Sequence, residues 1–271
     1  MMSRSVQDAS SGVVPPPAVS GAVDDDAVVG RGLHFSYGDS HVLQDVDLRV
    51  GVGEIVVLIG PSGCGKSTIL NLIAGTIAPS AGSLTCSGVP IRGLNRRVTY
   101  LTQRDTLLPW RTALDNAALP LEIKHVARAE RHRRAGEALA RVGVDHASGR
   151  RLHELSGGMR SRVALARALL SESDIFLLDE PFAAIDALLR VKLQRLLIDV
   201  WESTRKTMIY VTHDLSEAIC LGDRVIVMGA NPGRVVLERS ITTPHPRDPA
   251  RFRTTTEAQQ IYEELWTALD Q

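Results

Sequence analysis

The sequence predicts an α/β domain built on a mainly parallel core sheet with helices packed against it, and three observations lead there. From about residue 28 onward, short β-branched runs alternate with patterns of helical period. The run Ile55-Val56-Val57-Leu58-Ile59 is apolar at every position, as a strand covered on both faces must be, and it ends in Gly60. A second such run, Ile175-Phe176-Leu177-Leu178, ends in two adjacent acids, Asp179 and Glu180. That is the strand end at which parallel sheets bind ligands.

A chain of 271 residues with 44% hydrophobic content can bury a real core, in one domain or a domain with a lobe. Formal net charge is zero, so no overall field favours nucleic acid or an anionic bilayer, and no nucleic-acid partner is expected. Cys64, Cys86 and Cys220 lie far apart without metal-ligand spacing, which fits free thiols in a reducing compartment. No apolar run approaches the roughly 18 residues of a membrane span, and no secretory signal pattern opens the chain, so a cytosolic chain is expected. Residues 1 to 27 are rich in Ser, Gly, Pro and Asp, including Pro15-Pro16-Pro17 and Asp24-Asp25-Asp26, and read as a disordered tail. Neither a solenoid repeat nor a coiled-coil heptad run is present.

After Ile59 comes Gly60-Pro61-Ser62-Gly63-Cys64-Gly65-Lys66-Ser67-Thr68, which satisfies G-x-x-x-x-G-K-[ST] at every fixed position. An apolar helical pattern (Ile69, Leu70, Ile73) follows and closes at Gly75. A triphosphate must be held by backbone N–H groups, so side chains have to be absent where phosphate approaches, and a helix N-terminus adds partial positive charge. Lys66 can reach the β- and γ-phosphates, and the Ser67 hydroxyl is placed to ligate Mg²⁺. The chain holds 27 Arg against four Lys, so a lysine where a compact ammonium is needed carries weight.

Asp179 would hold the metal directly or through water, and Glu180 would polarise the water that attacks the γ-phosphate. Two acids after a strand also form ordinary turns and caps. It is the phosphate loop in the same chain that favours catalysis. Between the two lies Leu155-Ser156-Gly157-Gly158-Met159, leading into a helix-period run from Arg160 to Leu169. By general physics this is either an ordinary helix capped by Ser156 or a second glycine-bearing helix start that offers N–H groups to an anion.

Phosphate loop, then L-S-G-G, then apolar strand with Asp-Glu, is an order that resembles the nucleotide-binding subunits of ABC transporters, over about residues 28 to 245. The resemblance implies a P-loop NTPase fold of the ABC type, with an antiparallel β subdomain and an α-helical lobe at about residues 104 to 170. Residues 246 to 271 then form a C-terminal extension. It further implies that Tyr37 stacks on adenine, that Gln103 senses the metal and the membrane partner, and that Asp186 sits in a loop crossing the subunit boundary. His213, in Val211-Thr212-His213-Asp214, resembles the switch histidine that touches the γ-phosphate. Catalysis would then rest on Glu180, His213 and Lys66. ATP would lie on Tyr37, Gly60 to Thr68 (with Pro61, Ser62, Gly63, Cys64 and Gly65), Gln103, Ser156, Gly157, Gly158 and Asp186, and Mg²⁺ on Ser67, Gln103 and Asp179.

Met159 stands where the family usually has glutamine, Ser161 where glutamine is frequent, and Ile185 where leucine is usual. Met159 is similar to importer ATPases for nitrate, sulfonate, taurine and related solutes, as are Leu107-Leu108-Pro109-Trp110-Arg111-Thr112 and Pro232-Gly233-Arg234. Bottom-up, Leu107, Leu108 and Trp110 are either lobe core or a partner-docking patch.

The family resemblance implies two chains closing on two ATP molecules, beneath integral membrane permease subunits fed by an extracytoplasmic solute-binding protein. The chain would be peripheral, at the cytoplasmic face of the cell membrane, as a homodimer or beside a similar subunit. A chromosome-maintenance ATPase would carry a long coiled coil between Ser67 and Leu155, and a ribosome-associated one usually has two cassettes; here the gap is lobe-sized and each motif occurs once. A nucleotide kinase would not need Leu155 to Gly158, and a binding-only subunit would not need Lys66, Asp179, Glu180 and His213 together. The Arg-rich stretch from Ala127 to Arg134 reads as a solvated lobe helix. Thr255 to Leu269 places Ala258, Ile261, Tyr262, Leu265, Trp266 and Leu269 on one helix face, docked on the domain or on its twin.

Overall fold

The structure, a computed structural model, describes residues 26–103 and 106–270, apart from the side chains of 249 and 250. The tail expected over residues 1 to 27 lies outside the described residues up to Asp25. Strand pairing begins at Asp26, opposite Gly51, so Asp26 and Ala27 belong to a sheet.

Strands β1 (Asp26–Tyr37) and β2 (Ser40–Gly51) form an antiparallel hairpin. Strand β3 (Ile55–Ile59) then enters the phosphate loop and helix α1 (Lys66–Ala74), which stops at Gly75 in the left-handed conformation. Strands β4 (Ala81–Cys86) and β5 (Val89–Pro90) return to complete a four-stranded antiparallel sheet in the order β2-β1-β4-β5. After β6 (Val98–Leu101), helices α2 (Ala113–Ile123), α3 (Arg128–Arg141) and α4 (Gly157–Leu169) form the helical lobe. The chain then runs through β7 (Ile175–Asp179), α5 (Ala187–Thr204), β8 (Thr207–Val211), α6 (Leu215–Leu221), β9 (Arg224–Gly229) and β10 (Arg234–Ser240). It ends in α7 (Pro249–Phe252) and α8 (Thr256–Leu269).

The second sheet has the order β10-β9-β3-β8-β7-β6, parallel throughout except for the β9–β10 edge. Its strands are apolar on both faces because each face meets a different core. Ile55, Val57, Phe176, Leu178, Met208 and Val225 join the side carrying the lobe and helices α5, α6 and α8. Val56, Leu58, Leu177, Ile209, Val211 and Ile226 join the side carrying α1 and the antiparallel sheet. This period of two is what a strand's alternating side chains impose.

The lobe packs closely on small residues, Ala117 and Ala118 of α2, Ala135 and Ala138 of α3, and Ala164 of α4, all buried. The Arg-rich stretch is the solvated start of α3, where Arg133 pairs with Glu130 and Glu137 one turn to either side. Within Leu107 to Trp110, Leu107 is buried in the core, whereas Trp110 is 69% exposed. Helix α8 divides likewise. Ala258, Ile261 and Leu265 are buried against the domain, while Tyr262 and the 57% exposed Trp266 lie stacked outside it, ring centroids 6.4 Å apart.

The segment 107 to 112 is pinned from beneath by one fully buried side chain. Asn116 Oδ1 accepts the Leu108 N–H at 2.7 Å, and its Nδ2 donates to the carbonyls of Leu108 and Thr112 at 3.1 and 3.0 Å. Asn116→Leu would leave the Leu108 N–H without its partner, at about 1–3 kcal/mol, while the Leu108 and Thr112 carbonyls keep the backbone amides of Arg111 and residue 116. Urea unfolding is expected to give the variant a lower midpoint, with a loss of about 1–3 kcal/mol overall.

Candidate active site

The phosphate loop leaves β3 with its backbone already committed. A side chain at Gly60, whose φ is 156°, would put its Cβ 2.5 Å from the Met228 carbonyl and 2.7 Å from Cys64 Sγ, so only glycine fits there. Behind the loop, Gly233 of the Pro232-Gly233-Arg234 turn donates its N–H to the Val42 carbonyl at 2.9 Å. Its own Cβ would lie 2.1 Å from the Cys64 carbonyl. That turn therefore presses directly on the back of the loop and locks it to β2.

Helix α1 begins with no side chain bonded to its first amides. Its N-terminal N–H groups and the positive end of its dipole are thus left for an anion. The Lys66 ammonium is folded into the loop, donating to the carbonyls of Gly60 and Pro61 at 2.8 and 2.9 Å. Ser67, one residue on, is exposed toward solvent, while Thr68 is buried.

Asp179 ends β7 in a buried position, and the Tyr100 hydroxyl donates to its Oδ2 at 3.4 Å. Burial pushes the Asp179 carboxyl above its usual range. The Ser67 hydroxyl draws it down, the Glu180 charge raises it again, and Tyr100 and Lys66 lower it. Ser67 and Asp179 therefore face one point, as two hard oxygen donors of the kind that suits Mg²⁺. Among the described residues no group of three or more His, Cys, Asp or Glu that could hold a metal is found.

Glu180 follows in the left-handed region, with φ of 48°, a strained setting for a non-glycine residue that costs on the order of 1 kcal/mol. Its N–H donates to the Val211 carbonyl at 3.0 Å, and its carbonyl accepts from Ala183 at 3.2 Å. The strain turns the carboxylate back over the strand ends, where Gln103 Nε2 lies 3.5 Å and His213 Nδ1 3.4 Å from its two oxygens. A carboxylate held between an amide and an imidazole, opposite a phosphate loop, could orient a water and take its proton.

Gly60, Pro61, Ser62, Lys66, Gln103, Glu180 and His213 line one open cleft of about 590 Å³, together with Leu269 at the end of α8. The remaining expected residues lie outside that lining. Tyr37 is 53% exposed at the end of β1 and packs edge-on to Phe35, with ring centroids 4.7 Å apart. Ser156 caps α4 through the Met159 N–H at 3.3 Å, with Gly157 exposed beside it. Met159 packs its side chain on the lobe core. Asp186 caps α5 through the Leu189 N–H at 3.0 Å and is exposed. One chain thus brings together the loop, the acids, Gln103 and His213, and presents Ser156 and Asp186 elsewhere on its surface.

A family model described as ABC transporter matches residues 43–183. The chain belongs to the ABC transporter ATP-binding family. It is 46% identical over 198 residues to the taurine import ATP-binding protein TauB of Pseudomonas putida, covering 73% of this chain and 76% of that protein. It is 47% identical over 197 residues to the protein of the same name from Sinorhizobium fredii, covering 73% and 74%. Among solved structures, the ATP-binding cassette MJ0796, described as a dimer in a post-hydrolysis state bound to ADP and Pi, superposes with a TM-score of 0.73 at 32% identity. That match spans 80% of this chain and all of the other. The chain is accordingly an ATPase of the ABC transporter family, on the mixed α/β fold expected of it.

Tyr100 and Leu269 were not expected at the site. Tyr100 sits three residues before Gln103 and offered a polar tip on an apolar strand as its only signal. Leu269 reaches the cleft solely because of where α8 docks.

Because folding raises the Asp179 carboxyl, the native state holds its proton to higher pH than the unfolded chain. Stability from this group is present at acid pH and is lost as pH rises from the ordinary value through the raised one. Asp179→Asn is therefore expected to melt above the parent chain at pH 7 and to lose that advantage toward pH 4, as calorimetry across this range would record.

Proposed function

We propose that this chain binds and hydrolyses ATP to drive uptake of a small solute, taurine or a related sulfonate or nitrate-like anion, through separate membrane subunits. The observation that carries the chemistry is the meeting of Lys66, Gln103, Glu180 and His213 in one cleft. The relatives named for taurine import support the direction and the solute class. Among the described residues no helix is long and apolar enough to cross a membrane. Passage of solute then falls to partner permease subunits, with an extracytoplasmic solute-binding protein delivering to them, and the chain works at the cytoplasmic face of the membrane.

In this reading the backbone N–H groups of Gly60 to Thr68 and the Lys66 ammonium cradle the β- and γ-phosphates, and adenine lies on Tyr37. Ser67 and Asp179, with Gln103, would hold Mg²⁺, whose chemistry here would be to neutralise phosphate charge. Glu180 orients the attacking water and accepts its proton. His213 steadies that carboxylate and touches the γ-phosphate.

Ser156 and Asp186 are exposed and lie outside the lining of this cleft in their own chain, which fits their acting on the nucleotide of a second subunit. The solved cassette described as a dimer supports the same arrangement. Two chains, identical or similar, would close with each Ser156 to Gly158 helix start against the partner's ATP, and reopen when hydrolysis removes the γ-phosphate contacts.

Glu180→Gln is expected to lower kcat by on the order of 10² or more while leaving ATP affinity intact. Lys66→Ala is expected to lose binding as well as turnover. Full hydrolysis by the Gln variant would assign the base elsewhere. The solute class is tested by growth on taurine as sole sulfur source in a host strain lacking the gene: the wild-type gene is expected to restore growth and Glu180→Gln not to. Unimpaired growth of the deletion strain would overturn taurine as the cargo.

A further inference from the structure

His213 stands on a three-residue loop between β8 and α6, and 68% of its side-chain surface is open. Its packing does little to hold it, so its place opposite Glu180 depends on what fixes Thr212 and Asp214 on either side. Thr212 is fixed from beneath by Glu217, a carboxylate buried in α6, and Asp214 by Thr212 and by the first amides of the same helix.

The Thr212 hydroxyl donates to Glu217 Oε2 and accepts the Asp214 N–H at 3.0 Å. A hydroxyl has one proton. With that proton committed to Glu217, its lone pair is turned toward the Asp214 amide. The Asp214 carboxylate in turn accepts the amides of Ser216 and Glu217 at 2.9 and 3.2 Å. The Thr212 side of the loop is therefore tied to α6 through the buried Glu217 carboxylate, and the Asp214 side through its own cap of that helix and through the Thr212 hydroxyl.

The other Glu217 oxygen accepts from Gln194 Nε2 at 2.9 Å, and Gln194 is also buried. Gln194 lies on α5, the helix that Asp186 caps. One turn earlier on the same face, Arg190 Nη1 lies 3.6 Å from Asp214 Oδ2 and Nη2 donates to the Ile185 carbonyl at 3.1 Å. Two side chains four residues apart on α5 thus grip the loop that carries His213, one through Glu217 and one through Asp214.

We propose that Glu217, supported by Gln194, is a positioning residue for His213, and that it couples the histidine loop to the helix whose first turn carries Asp186. The proposal rests on the ATPase reading given above. A shift of α5 on subunit closure would reach the γ-phosphate side of the cleft through buried hydrogen bonds, without a change in the phosphate loop.

The test uses the full chain with Thr212→Val, which removes the linking hydroxyl at nearly constant shape, beside Glu217→Leu and Glu217→Gln. Thr212→Val and Glu217→Leu are each expected to lower kcat about tenfold or more, with KM for ATP changed less than about twofold. Glu217→Gln, which can still accept from Thr212, is expected to recover to within about threefold of the parent. On a His213→Ala background Thr212→Val is expected to cost nothing further, because residues acting as one unit are not additive. Hydrogen exchange of the Asp214 amide is expected to quicken about tenfold or more in Thr212→Val, independent of any turnover. Full additivity with His213→Ala, or an Asp214 amide as protected as in the parent, would overturn the proposal. A parent chain that binds no ATP and hydrolyses none would overturn the ATPase reading instead, and the exchange result would still decide whether the loop is held in this way.

Discussion

The site depends on the parallel register of three strand ends. The Thr212 N–H donates to the Leu58 carbonyl at 3.3 Å, and the Glu180 N–H donates to the Val211 carbonyl at 3.0 Å. These two hydrogen bonds extend the sheet ladder one step past β3, β8 and β7, just where the chain leaves the sheet for the phosphate loop, the histidine loop and Glu180. Parallel strands point all their C-terminal ends one way, so three segments far apart in sequence deliver their side chains to one edge. The two hydrophobic cores above and below the sheet hold that edge rigid. Without both, Lys66, Glu180 and His213 would share no cleft.

On this frame the chain keeps several arrangements that a search for stability alone would remove. Asp179 is a buried carboxyl raised by burial and by the adjacent Glu180. Glu180 occupies a left-handed backbone conformation, and helix α1 starts without a cap. Each is unfavourable by itself, and each points toward a polyanion with its metal, which would relieve like-charge repulsion and satisfy the free amides. The mixture of a rigid sheet with a strained, charged rim is what a site needs if binding energy is to be spent on charge that develops only during reaction.

The parts that were legible in the sequence obey local rules. Ile55 to Ile59 and Ile175 to Leu178 had to be strands covered on both faces, and Gly60 to Thr68 had to be a loop feeding a helix, because spacing and side-chain size dictate it within a dozen residues. The outcome was not legible where a residue's partner lies far along the chain. Leu107 is core and Trp110 is exposed within one apolar cluster, and that division follows from how Asn116 pins the segment. The apolar stripe of α8 is split in the same way, with Ala258, Ile261 and Leu265 buried and Tyr262 and Trp266 open. Tyr100 and Glu217 read as an unremarkable strand tyrosine and helix acid, and only the fold sets one against Asp179 and the other beneath Thr212. The proposal of a site shared by two chains rests on the family resemblance, since Ser156 in isolation is an ordinary cap.

The central claim is that a complete site forms between two chains, with the cleft of one closed by Ser156 of the other. It is tested most directly by light scattering on the Glu180→Gln chain with and without Mg²⁺ and saturating ATP. The account expects a mass near the 29.4 kDa of one chain without nucleotide, doubling with ATP, and no doubling when Ser156→Arg is added to the same chain. A mass that stays at one chain while ATP is bound, or a doubling that ignores Ser156, would contradict it.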